Sequence, residues 1–283
     1  MSGVRRAGIL GDPVAQSRSP LIHGHWLDLH RVDGSYEKLP VTADAFQDYV
    51  RTLVDAGYAG ANVTAPHKRA AFELADRLDP LAERLGAVNT LVFRDNEILG
   101  SNTDGFGFVE NLRQQAGGWR HDMPVLVLGA GGAARAIIGA LAECGVPEIR
   151  LANRTPGKAD ALAPVLEGTG TVLKEVAWVA REAACAEVGL LVNTTSLGMT
   201  GKPSLEMSLA HMGEGGVVAD IVYAPLQTPL LVTARDRGLE SVDGLGMLLH
   251  QAVPGFEAWF GCRPKVTQAL RDLVVADLTG GIG

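Results

Sequence analysis

Short apolar runs alternate with helical stretches over the first hundred residues. The apolar run 6–10, closed by Gly11-Asp12-Pro13, predicts a strand, and a loop through Ser19 leads into a helix over 20–29. A strand is expected over 35–39. The segment 45–56 places Phe46, Tyr49, Val50 and Leu53 on one face at helical spacing, and 58–63 reads as the next strand. Pro66 is expected in the first turn of a helix containing Lys68, where proline forfeits no intrahelical hydrogen bond. The runs 88–93 and 98–100 flank Arg94-Asp95-Asn96-Glu97, a hairpin turn.

A helix over 105–115 ends in Ala116-Gly117-Gly118-Trp119, the approach to a second domain that starts near Pro124. There the order is strand at Val125, helix 133–143, strand 149–152, helix 158–166, strands 189–192 and 217–220, and helix 229–237. That alternation implies a parallel, doubly wound sheet. The tail, 246–260 and 265–277, is helical. The fold class is therefore α/β in two domains: residues 1–104 plus 244–283 form a mixed α/β substrate-binding domain, and 105–243 a Rossmann-like dinucleotide-binding domain.

Composition narrows the function classes. The 283 residues are 47% hydrophobic and 20% charged, enough to bury a core, and 35 glycines against 5% aromatics suit tight turns more than a β-sandwich. A formal net charge of −7 with no dense Lys/Arg run leaves no electrostatic footprint for nucleic acid. No stretch approaches the roughly 20 apolar residues that span a bilayer, and the run after Arg5-Arg6 is too short for an export signal. A cytoplasmic location is expected, with Cys144, Cys185 and Cys262 as reduced packing residues. A homodimer is admitted, but nothing in the sequence fixes the oligomeric state.

The first chemistry lies in Gly129-Ala130-Gly131-Gly132-Ala133, which follows the apolar strand and opens an alanine-rich helix. Gly129, Gly131 and Ala134 fill the dinucleotide fingerprint: tight turn, backbone access to pyrophosphate, and close packing of helix on sheet. The helix N-terminus offers N–H groups to the anion. The second strand ends in Asn153-Arg154-Thr155, without the acidic residue that would hold an NAD ribose. Arg154, helped by Lys158, suits the additional phosphate of NADP, while Thr155 before Pro156 is expected to cap the following helix.

Lys68 and Asp104 supply an amine and a carboxylate. Carbonyl reduction needs a proton at oxygen as hydride reaches carbon, and a positioned lysine can deliver it. Taken singly, Lys68 is an ordinary surface residue and Asp104 a helix cap, with Thr103 an equally good cap that would free the carboxylate.

Seven segments in order, Ser17-Arg18-Ser19-Pro20, Asn62-Val63-Thr64-Ala65-Pro66-His67-Lys68, Gly86-Ala87-Val88-Asn89-Thr90, Asn102-Thr103-Asp104-Gly105, Gly129 to Ala133, Asn153-Arg154-Thr155 and Gly246-Met247-Leu248-Leu249-His250-Gln251-Ala252, resemble the shikimate dehydrogenases over nearly the whole chain. The resemblance implies that Ser17 and Ser19 hold a substrate carboxylate. It implies that Thr64, Asn89, Asp104 and Gln251 bind ring hydroxyls, that Lys68, held by Asp104 as its catalytic partner, is the acid/base, and that Met247 lines the nicotinamide pocket. In Asp220-Ile221-Val222-Tyr223-Ala224-Pro225 it implies that Tyr223 borders substrate and nicotinamide. The expected activity is NADPH-dependent reversible reduction of 3-dehydroshikimate, a small hydroxylated anion suited to short polar side chains. For Gln251 to reach it, the C-terminal helices must return to the first domain.

Gly24 and Ala65 depart from the family's commoner residues, and neither falls on an implied contact. His23, His25 and His67 lack the carboxylate or cysteine spacing of a metal site, so no metal is expected; His67 is expected to pack or hydrogen-bond at the pocket edge. Alternatives are a quinate or aminoshikimate dehydrogenase, or a nicotinamide-sensing protein without catalysis, against which Lys68 and Asp104 argue. A folate dehydrogenase leaves the Ser17/Ser19 loop unexplained.

Overall fold

The computed structural model describes residues 4–280. Two compact units form, one from the residues up to Thr103 together with those from Gln251 onward, the other from Asp104–His250. In the first, the order is β1 (Arg5–Gly11), α1 (Ser19–His30), β2 (Gly34–Pro40), α2 (Phe46–Asp55), β3 (Gly60–Val63), α3 (Lys68–Leu74), β4 (Arg77–Leu78), α4 (Pro80–Leu85), β5 (Thr90–Arg94) and β6 (Glu97–Ser101). The sheet runs β2-β1-β3-β5-β6-β4. β1 is parallel to β2 and β3, and β5 is antiparallel to both its neighbours, so the sheet is mixed as expected.

Phe46, Val50 and Leu53 of α2 are buried against Leu10, Val63 and Leu91 of the sheet, with Tyr49 at the margin. The β5–β6 hairpin turns at Asp95 and Asn96, both left-handed at φ 54° and 63°. Two such residues make the turn whose twist matches the flanking strands. Pro66 is not in the helix: it follows Ala65 through a cis peptide bond, and α3 begins two residues later at Lys68. β4 and α4 were not anticipated, although α4 is well signalled. Asp79 caps it by accepting from the Ala82 N–H at 2.5 Å, Pro80 opens it, and Gly86 closes it in the left-handed region.

The second unit contains α5 (Asp104–Gln115), β7 (Val125–Leu128), α6 (Gly132–Glu143), β8 (Glu148–Asn153), β9 (Val172–Ala177), β10 (Leu190–Asn193), β11 (Val217–Asp220), α7 (Pro229–Asp236), β12 (Glu240–Val242) and α8 (Leu245–His250). Its sheet, β12-β11-β10-β7-β8-β9, is parallel throughout. Strand order reverses between β7 and β10, the switch point at which doubly wound sheets take ligands. β7 and β10 are wholly buried, which is why they read as continuous apolar runs.

The expected helix over 158–166 is absent. Pro164 lacks the N–H that a helix interior needs, and only the short 3₁₀ turn Ala163–Leu166 forms before Gly168 and Gly170. β9, a polar edge strand, follows unforeseen. α8 stays with the second unit because it packs on α5, where a Cβ at Gly246 would overlap Asn111 Oδ1. The boundary drawn before residue 244 therefore moves to follow His250.

The chain then returns to the first unit as α9 (Ala252–Phe260) and α10 (Gln268–Leu278). The Trp259 indole N–H donates to the Leu91 carbonyl at 2.9 Å, and that of Trp26 to the Lys265 carbonyl at 3.2 Å. The tail thus packs on the first unit. No helix among the described residues is long and apolar enough to cross a membrane, and they contain no cluster of three or more His, Cys, Asp or Glu side chains set to hold a metal ion.

Candidate active site

Parallel pairing places the C-terminal ends of β1 and β3 side by side, Leu10 opposite Val63. β5 is antiparallel, so its N-terminal end meets the same edge, Thr90 opposite Asn62 and Ser101. Thr64, Asn89, Asn102 and Thr103 consequently gather at one edge of the first unit's sheet. The Thr64 N–H donates to the Leu10 carbonyl at 2.9 Å. Lys68, half-buried, opens α3, and its carbonyl accepts from the Val88 N–H at 2.9 Å. His67 is buried, hydrogen-bonded to the Val41 carbonyl at 2.8 Å and stacked on Phe46, so it packs as expected.

At this edge, Asn89 Oδ1 accepts from the Thr90 hydroxyl at 3.0 Å and from the Thr103 N–H at 2.9 Å. The Thr103 hydroxyl donates to the Gln251 carbonyl at 2.8 Å. Thr103 is thereby tied to the residue preceding α9. Ser17 and Ser19 lie in the loop before α1. The Ser19 N–H donates to Ser17 Oγ at 3.3 Å, and Ser19 is buried. Arg18 donates to Asp277 of α10 at 2.8 Å and to the Gln16 carbonyl at 3.3 Å, while Lys38 donates to the Ala15 carbonyl at 2.5 Å. These side chains and Ser17 line a cavity of about 270 Å³. His23 is buried, stacked on Tyr36 with ring centres 3.9 Å apart; burial pushes its pKa down to about 3, which keeps it neutral.

In the second unit, Gly129 follows β7 in the left-handed region, φ 100°, and its N–H donates to the Ala152 carbonyl at 2.9 Å. Beyond it, a Cβ built on Gly131 or Gly132 would meet nothing within 4 Å. The backbone that opens α6 therefore faces open space, while Ala134 is fully buried against the sheet. This is the shape a pyrophosphate needs: exposed N–H groups at a helix N-terminus with no side chain in front. Arg154 and Lys158 are exposed beyond β8, two cations for a further phosphate. The Asn153 amide donates to the Thr155 carbonyl at 2.9 Å, and the Gly157 N–H to Glu175 at 2.7 Å. Thr155 caps no α-helix, since none follows. Met247 is partly buried on the unit's core, Tyr223 is half-buried just after β11, and Asp104 is the first residue of α5.

Asp220, at the end of β11, carries a role that the sequence did not reveal. It is 1% exposed, and its Oδ1 accepts from the Asn193 amide and the Val222 N–H, both at 3.0 Å, and its Oδ2 from the Thr228 hydroxyl at 2.8 Å. Asn193 in turn accepts from the Thr195 hydroxyl and N–H at 2.7 and 3.0 Å. One carboxylate thus fixes the turn after β10 and the loop that carries Tyr223. Burial raises its pKa from 3.8 to about 6, against the three hydrogen bonds. Because the folded state holds this proton more tightly than the unfolded one, the stabilisation is complete below the unfolded value and is lost as pH rises through about 6. Relative to Asp220→Asn, the wild-type chain should lose about 3 kcal/mol of stability across that range. Urea unfolding of both at about pH 4.5 and about pH 7 should show about 2 kcal/mol of it, because the unfolded carboxyl is already mostly ionised at the lower pH; a difference independent of pH would overturn it.

Residues 9–91 match the family described as shikimate dehydrogenase substrate binding domain, 111–213 shikimate/quinate 5-dehydrogenase, and 244–273 the shikimate 5′-dehydrogenase C-terminal domain. The chain is 57% identical to shikimate dehydrogenase (NADP(+)) of Methylobacterium radiotolerans, over 97% of this chain and 98% of that protein. The protein of the same description from Paramagnetospirillum magneticum is 55% identical over 98% and 100%. The crystal structure of Thermus thermophilus shikimate 5-dehydrogenase in complex with NADP(H) and shikimate is 36% identical, with TM-score 0.83 over 95% of this chain and 100% of that one. Quinate dehydrogenase of Corynebacterium glutamicum in complex with NAD is 29% identical, with TM-score 0.89 over 96% and 99%. Two α/β units with these matched segments and near end-to-end identity above one half place the chain plainly: it belongs to the shikimate dehydrogenase family.

Proposed function

We propose that the chain catalyses the reversible NADPH-dependent reduction of 3-dehydroshikimate to shikimate, a step of aromatic amino acid biosynthesis. The observation that carries the reading is the gathering of Thr64, Asn89 and Thr103 at one sheet edge of the first unit, the edge from which α3 and Lys68 start, in a chain 57% identical to an NADP(+) shikimate dehydrogenase. In its oxidised and reduced forms the substrate is a ring carboxylate with several oxygens, and short hydroxyl and amide side chains match it better than apolar surface does.

Ser17 and Ser19 bind the carboxylate, and Thr64, Asn89, Asp104 and Gln251 the ring oxygens. Lys68 gives its proton to the ketone oxygen as the C–H bond forms at the ring carbon, and takes it back in the reverse direction. When bound, NADPH supplies the hydride. Gly129 to Ala133 hold its pyrophosphate by backbone N–H groups, Asn153, Arg154, Thr155 and Lys158 take the 2′-phosphate, and Met247 and Tyr223 border the nicotinamide.

The test is a set of initial rates with shikimate and quinate against NADP⁺ and NAD⁺. The highest kcat/KM should belong to shikimate with NADP⁺, and Arg154→Ala should cut the preference for NADP⁺ over NAD⁺ about tenfold to a hundredfold, the worth of one charged hydrogen bond. Faster turnover of quinate, or equal use of NAD⁺, would sink the reading.

A further inference from the structure

The first unit buries a row of polar side chains whose hydrogen bonds all run one way. The Asn62 amide nitrogen donates to Thr90 Oγ1 and to the Asn89 carbonyl, both at 3.2 Å, so Asn62 Oδ1 is the acceptor. The Tyr36 hydroxyl donates to that oxygen at 2.6 Å. Thr90, having accepted from Asn62, passes its single proton to Asn89 Oδ1 at 3.0 Å. Tyr36, Asn62, Thr90 and Asn89 come from β2, β3, β5 and the turn before β5, and none is more than 9% exposed. Reversing one amide in such a row leaves buried donors facing donors, which is costly for each group left unpaired.

From this directionality we infer that Tyr36, Asn62 and Thr90 are positioning residues that fix the Asn89 amide with its oxygen committed to the protein. Asn89 then meets a ligand only as a donor, through Nδ2. A hydroxyl or ketone oxygen, which brings lone pairs, satisfies that group, whereas an ammonium in the same place does not. The inference rests on the reading that Asn89 binds a ring oxygen of the substrate.

Thr90→Val keeps the side-chain shape and removes both the acceptor for Asn62 and the donor to Asn89. It should raise the KM for shikimate about fivefold to a hundredfold, with a much smaller change in kcat and an unchanged KM for NADP⁺. Thr90→Ser, which restores the hydroxyl, should return the KM to within about twofold of the wild-type value, well inside the loss of one hydrogen bond. Tyr36→Phe breaks the row at its other end and should shift the same KM in the same direction, which decides the matter should Thr90→Val not fold. Asn89→Ala, measured alongside, separates the two levels. If it leaves the KM for shikimate unchanged, the reading of Asn89 fails and the inference with it. If Asn89→Ala raises that KM while Thr90→Val and Tyr36→Phe do not, the positioning inference alone is overturned. Equal losses in Thr90→Val and Thr90→Ser would also overturn it.

Discussion

Replacing Lys68 with alanine should lower kcat for shikimate oxidation by about 10² to 10⁴, the usual contribution of a positioned acid/base, while the KM for shikimate changes severalfold at most. The fold should be untouched, for a specific reason. A long-range backbone hydrogen bond at this position, from the Val88 N–H to the Lys68 carbonyl at 2.9 Å, uses a group that alanine retains, and alanine is the best helix former at the start of α3. His67 beside it is held independently by Phe46 and the Val41 carbonyl. A drop in turnover is therefore attributable to the missing ammonium. Lys68→Arg divides the two things an ammonium can do: it keeps the positive charge but does not release a proton near neutral pH. If proton transfer is the role, arginine should fail almost as badly as alanine; if the charge only attracts the substrate, arginine should restore most of the rate. Turnover by Lys68→Ala within about tenfold of the wild type would fall short of the acid/base range and remove Lys68 from the mechanism.

The residues assigned to this chemistry are legible because they sit in segments with local meaning. Gly129 to Ala134 can be read from a buried strand, a turn and a helix within ten residues, and Lys68 from its place after Asn62-Val63-Thr64. What could not be read depends on register. Thr90 meets Asn62 only because β5 pairs antiparallel with β3 at that offset, and no local pattern in 58–63 or 88–93 states the offset. Asp220 stands out in the sequence only as part of a motif; its partners Asn193 and Thr228 reach it from the end of β10 and the start of α7. The failure over 158–166 has the opposite origin. Ala159, Leu162 and Leu166 have helical spacing, but they cover the sheet from an irregular segment, because Pro164 and the glycines after it deny the backbone a longer helix. β9 was hidden by its own edge position, where Lys174 and Glu175 stand in solvent.

At Gly60 a single added methyl group should damage the fold, and no local pattern in the sequence marks the position. It begins β3 at φ 155°, and an added Cβ would overlap both the Leu91 carbonyl and the Trp259 Nε1. Those two atoms are hydrogen-bonded to each other at 2.9 Å, and Trp259 is 2% exposed. Gly60→Ala must therefore push the indole away from β5. That leaves a buried N–H and carbonyl unpaired, at about 1 to 3 kcal/mol, and overpacks the interface between α9 and the sheet, at about 1 to 3 kcal/mol more. A loss of about 2 to 6 kcal/mol is expected, a large part of the 5 to 15 kcal/mol that a domain has. Gly57→Ala separates dihedral from space: Gly57 is also left-handed, φ 76°, but nothing lies within 4 Å of its Cβ, so only the conformational cost of about 1 to 2 kcal/mol applies. Urea unfolding of the two variants should therefore differ, with Gly60→Ala the weaker. Equal midpoints would mean that Trp259 finds another acceptor, and that the return of α9 to the first unit depends on apolar packing through Phe256 and Phe260 and not on this bond.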